Sequence, residues 1–142
     1  MDRPMNITRR TWLAGAAVGP LLRGARRSGV QLEALSGPQL PHRLTVPGFP
    51  EHASPYFELR EYQASDPDGL DRLHGALMRG EFIPCGIEPL LWQRDQGLHY
   101  LFPFESLGAR AQSWTLLASD PSWVRLRESV RVSGVAIYRR AS

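Results

Sequence analysis

The sequence has one cysteine, no apolar run long enough to cross a bilayer, and no excess of positive charge beyond residue 36. Each scarcity excludes something. With Cys85 alone, no internal disulfide can form, and a protein exported already folded would need none. The longest apolar run, Trp12 to Leu22, is about half of the ~20 residues that a spanning helix requires, and Gly15, Gly19 and Pro20 interrupt it, which argues against a permanent anchor. The formal charge of +3 and the pI near 9.6 suggest nucleic acid, but the distribution does not. Residues 1–36 hold six arginines against Asp2 and Glu33, which leaves 11 basic and 12 acidic residues in the remainder. A nucleic-acid reader needs its cations clustered on the folded domain, where they displace counterions from phosphates, so that class is excluded.

The basic leader contains Thr8, Arg9, Arg10, Thr11, Trp12 and Leu13 in order, followed by the apolar run. This resembles a twin-arginine export signal, and the resemblance implies export by the twin-arginine machinery to a periplasmic or extracellular destination. Arg9 and Arg10 are the signal residues. Ala34 to Ser36 offers small residues at the positions a signal peptidase reads, so residues 1–36 are expected to form the signal. The competing reading is a basic tail on a cytoplasmic protein. Residues 37–55, with Pro38, Pro41, Pro47, Gly48, Pro50 and Pro55, lack a helical or strand period and are expected to form a linker or arm. His42 and His52 lie there and read as solvent-exposed residues; no metal site or cofactor is expected.

The compact domain is expected over residues 56–142. Tyr56 to Gln63 alternates as a strand. Asp66 is a good N-cap and Pro67 a good first residue for a helix with Leu70, Leu73 and Leu77 on one face. Ile87 to Arg94 and Leu98 to Phe104 form a hairpin about the turn Asp95 to Gly97. Ser106 caps a helix with Leu107, Ala111, Trp114 and Leu117 or Ala118 on its stripe. Asp120 and Pro121 start another with Trp123, Leu126 and Val130 inward, and Val132 to Arg139 is the last strand. The order βαββαβ predicts an α+β, ferredoxin-like sandwich in which the first and third strands are central and the second, with Pro89, lies at an edge. Pro103 is expected at or beyond the end of regular pairing. The hairpin is apolar on both faces, whereas helices cover only one, so the second face is expected to meet an identical subunit in a homodimeric barrel.

The segments "FELREYQ" and "YLFPFESLGARAQSWTLLASDPSW" resemble the NIPSNAP family, whose domains open with a Glu-any-Leu-Arg-any-Tyr strand and later carry an aromatic strand, Ser-Leu, an Arg, a Trp and an Asp-Pro-any-Trp turn. The likeness runs from about Tyr56 to Ser129. It implies the dimeric α/β barrel, a fold also used by cofactor-free monooxygenases, haem-degrading enzymes and stress-responsive proteins. Fold alone supplies no reaction.

The alternation of the first strand places Glu58, Arg60 and Tyr62 on one face. With Phe57 and Leu59 packed under the helices, the three are expected to point into the dimer barrel, either as a ligand pocket or as a polar network that fixes strand register. His99 shares a face with Leu101 and Pro103 and is the candidate catalytic base. His74 falls on the first helix's apolar stripe, and Cys85 reads as a small apolar filler. Two functions are consistent with these residues. One is binding of a small apolar or amphipathic molecule, or stabilisation of an assembly, without catalysis. The other is a cofactor-free monooxygenase or related enzyme acting on an aromatic compound, with His99 as base and Tyr62 or Arg60 stabilising an oxyanion.

Overall fold

The computed structural model describes residues 30–37, 40–46 and 54–141. The export-signal residues Arg9 and Arg10, and His52, lie outside them. Within them the chain is α+β. Its elements are β1 (Val30–Ser36), β2 (Arg43–Val46), β3 (Tyr56–Gln63), α1 (Pro67–Met78), β4 (Leu91–Arg94), β5 (Leu98–Phe104), α2 (Leu107–Ala118), α3 (Pro121–Arg127) and β6 (Arg131–Arg140). The six strands form one antiparallel sheet in the order β2-β1-β6-β3-β5-β4, curled so that the whole is half-barrel-like.

The three helices start where the sequence places them. Asp66 Oδ1 accepts from the Gly69 amide at 3.0 Å, Ser106 Oγ from Ala109 at 2.9 Å, and Asp120 Oδ1 from Ser122 and Trp123 at 2.9 and 3.2 Å. Each oxygen satisfies amides that the first helical turn leaves without a partner. β4 is shorter than expected and begins after Pro89, at Leu91. Pro103 stays within β5, opposite Phe57. Its missing donor does no harm, because Leu101 accepts from Leu90 on the β4 side and the pairing with β4 ends there.

Two segments depart from the expected organisation. Residues 30–36, assigned to the end of the signal, form β1, and residues 43–46, assigned to the linker, form β2. β2, at four residues, is too short to announce itself as a strand, whereas β1 has seven residues and a strand's alternation from Val30 to Ala34 and is hidden by its place behind the basic leader. Pairing makes them strands: β1 is flanked by β2 and β6, and β2 pairs with β1 alone. The turn between them depends on Gly37. Its φ is +96°, and a Cβ there would sit 2.4 Å from Ala136 Cβ, so only glycine lets the hairpin lie this close to β6. The Tyr138 hydroxyl donates to the Pro41 carbonyl in the same hairpin.

Both faces of the hairpin β4–β5 are buried, as its composition predicts. On one face Tyr62, Leu98, Tyr100, Phe102 and Phe104 pack with Leu70, Leu73, Ala76 and Leu77 of α1 and with Leu117 and Trp123. On the other, Phe57, Leu59, Leu91, Leu101, Ala136 and Tyr138 cluster with Leu32 of β1 and Leu44 and Val46 of β2. Leu59 and Leu101 are fully buried in the single chain. The reason given for a second subunit, an apolar face with nothing to cover it, is therefore met from within this chain.

Candidate functional site

The register fixes where each candidate side chain points. Glu58 pairs with Phe102, Arg60 with Tyr100 and Tyr62 with Leu98, whereas Phe57, Leu59 and Glu61 pair with Pro103, Leu101 and His99. Directly opposed residues share a face. Glu58, Arg60 and Tyr62 therefore lie under the helices, and Phe57 and Leu59 on the other side, which reverses the expected orientation. The physical reason is the set of partners on α2. Glu58 is 0% exposed, and its Oε1 accepts from Arg110 Nε and, at 2.8 Å, from Trp114 Nε1. Its Oε2 accepts from Arg60 Nε at 2.5 Å, and Arg60 Nη1 reaches the Tyr62 hydroxyl at 3.4 Å. The Arg60 guanidinium lies over the Trp114 ring, 3.6 Å from its centre. A buried carboxylate needs such donors, and only the helix-covered face supplies them.

Arg110 is the residue that sequence reasoning missed; Trp114 was expected on the inward stripe, but not as a donor to Glu58. The expected stripe of α2 contained Leu107 and Ala111, yet both are exposed, and Arg110, Ser113, Trp114 and Leu117 turn inward at the same helical spacing. Periodicity alone ranks Leu107 above Arg110. A buried acid on the facing strand reverses the order, and Glu58, set between Phe57 and Leu59 on β3, was the available signal.

His99 does not join this group. It lies on the opposite face, 7% exposed, with Nε2 at 3.1 Å from Glu61 Oε2 and Nδ1 at 4.0 Å from Asp95 Oδ1. Its Nδ1 is buried without a hydrogen-bond partner. An oxyanion held by Tyr62 or Arg60 cannot share a substrate with a base at His99, because the sheet separates them. His74 on α1 stacks on Tyr100, with Nδ1 at 2.8 Å from the Tyr100 hydroxyl, and also meets Trp92. The Cys85 thiol is held above its ordinary value, first by burial and then by the Asp120 carboxylate, the reverse of what a nucleophilic thiolate needs. Among the described residues no group of three His, Cys, Asp or Glu could hold a metal.

Burial pushes the phenol of Tyr62 up, against the pull of Arg60, and burial also raises Tyr100 and Tyr138. A folded-state value raised above the unfolded one means that the fold retains protons the unfolded chain releases. The associated stability is complete below pH 10 and is lost as pH rises through the folded values. Ultraviolet titration of tyrosinate should therefore show these three phenols silent near pH 10 and ionising together with unfolding at higher pH. Smooth ionisation of all tyrosines near pH 10 with the fold intact would contradict their burial.

Two grooves lie elsewhere. One, of about 610 Å³, runs between α1 and α3 and is lined by Arg72, Arg79, Arg125 and Leu126 among others. The second, of about 400 Å³, lies between the 3₁₀ turn at Ile83–Cys85, the end of β5 and α2. Neither includes Glu58, Arg60, Tyr62 or His99. In comparison with known proteins, the chain matches no family model and no curated protein.

Proposed function

We propose that this chain is an exported, NIPSNAP-like barrel protein of ferredoxin-like βαββαβ order that binds a small amphipathic molecule and catalyses no reaction on it. The observation that supports the reading is the state of Glu58. The acid with the best claim to chemistry is wholly buried, and three donors occupy its two oxygens. A general acid or base must reach a substrate proton, and this one faces only its own guanidinium and indole partners. Export rests on the Arg9–Arg10 leader. Association of two copies, implied by the family likeness, would use a surface other than the β4–β5 hairpin, whose faces are both covered.

The test is retention. Purified protein incubated with cell extract, washed and analysed by mass spectrometry should hold an amphipathic compound and return it unchanged. Oxygen uptake with conversion of a retained aromatic compound would overturn the non-catalytic reading.

The enzymatic alternative would rest on the His99–Glu61 pair, whose Nδ1 is buried like Glu58 and would have to become accessible before it could take a proton. A carboxylate that holds one ring nitrogen orients the other for proton transfer. In that reading His99→Gln abolishes turnover of the retained compound, and the oxyanion must be held by groups on the His99 face.

A further inference from the structure

We infer that the Arg60–Arg110 pair receives the head group of an amphipathic carboxylate whose apolar part lies along β6. This rests on the binding reading above and assigns it a place and a chemical class. Two guanidiniums converge on one carboxylate, so the cluster carries one positive charge more than Glu58 neutralises. Among the described residues, Arg110 hydrogen-bonds only to Glu58, and through Nε. Its two terminal nitrogens, with four N–H donors, bond to no other described residue. Arg60 bonds only to Glu58 and Tyr62. The nearest acid on the same face of the outer strands, Glu33, is already held by Arg139 at 3.2 Å. Both arginine side chains are recessed, 16% and 22% exposed, so an uncompensated charge there is screened less than one at the surface. Glu58 also fixes both forks in place, which lowers the ordering cost of receiving a planar anion.

The apolar half of the site follows from the register. Val135 pairs with Arg60 and Ile137 with Glu58, so both share the cluster's face, and past a register shift after Glu61 Val132 pairs with Tyr62. Val135 and Ile137 are only half-buried and Val132 is exposed. From Val132 to Ile137 the strand runs roughly 16 Å at the rise of an extended chain, enough for the tail of decanoate. An inorganic anion would use the arginines alone; an apolar alcohol would use β6 alone. A carboxylate with a tail uses both.

The test is isothermal titration of the full chain with decanoate, decanol and acetate. Decanoate should bind at least tenfold more tightly than either of the others. Arg110→Gln should weaken decanoate at least tenfold, and Arg110→Lys, which keeps the charge, should recover part of the loss. Val135→Ser, which leaves the Glu58 cluster untouched, should weaken decanoate severalfold and leave acetate unchanged. If decanoate binds but neither Arg110→Gln nor Val135→Ser weakens it, the binding reading stands and this site is wrong. Equal binding of decanol and decanoate, or no binding of decanoate to a folded wild-type chain, also overturns the assignment, while retention of a different compound from extract would leave the broader reading intact.

Discussion

Glu58→Ala is expected to destabilise the fold by on the order of 3 to 5 kcal/mol, the range for breaking a buried ionic group by removing one member. That is a large share of the roughly 5 to 15 kcal/mol that holds a domain together. The substitution leaves two recessed guanidiniums close together without their shared counter-charge, an indole N–H without an acceptor, and a void at the junction of β3 and α2. Arg60→Ala should have a smaller effect, because Glu58 then retains Arg110 and Trp114. Urea denaturation of the two single variants and of Glu58→Ala combined with Arg60→Ala checks the ordering. The double variant should be less unstable than the two single effects summed, since each removes the same interaction. If Glu58→Ala melts with wild type, the cluster does not hold α2 on the sheet.

Much of this arrangement was legible in the sequence, and the failures have definite causes. The caps at Asp66, Ser106 and Asp120 and the turn Asp95 to Gly97 are local chemistry, and each lies where the residues put it. The grouping of Glu58, Arg60 and Tyr62 also follows from the strand period. Which face they occupy does not, because alternation is symmetric and says nothing about which side the helices take. Leu59 is as apolar as any residue expected under a helix, yet it packs against β1 and β2. The misread stripe of α2 has the same origin: Leu107 fits the period, but Arg110 answers a buried charge that is 52 residues away in the chain. β1 has a strand's alternation and is hidden only by its place behind the basic leader, whereas β2 was illegible for a related reason. Arg43–Val46 is four residues set among prolines, and only its pairing makes it a strand.

A chain that begins at Gly37, as cleavage after Ala34 to Ser36 would leave it, is expected to lose most of its stability. Removing β1 deletes Leu32, which is 1% exposed, and takes away the only strand that pairs with β2. Leu44 and Val46 then have no strand to hold them over the sheet, and β6 becomes an open edge. Three fully buried aliphatic side chains correspond to roughly 5 to 9 kcal/mol at about 1.5 to 3 kcal/mol each. This is an upper figure, because the unfolded chain already hides some of that surface. Even half of it is comparable with the whole stability of a small domain. Cleavage at Ser36 also meets a kinetic obstacle, since Ala34 and Ser36 are paired with Tyr138 and Ile137 on β6 and a peptidase requires an extended, unpaired substrate. On the proposed export route, the mature chain should therefore retain β1, with its N-terminus before Val30. Intact mass measurement of protein recovered outside the cytoplasm gives that terminus directly, and thermal melts compare chains starting at Gly29 and Gly37. A mature terminus at Gly37 together with an undiminished melting temperature would show that β1 and β2 contribute nothing to the fold, and the apolar face of β3 and β5 would again require a second subunit to cover it.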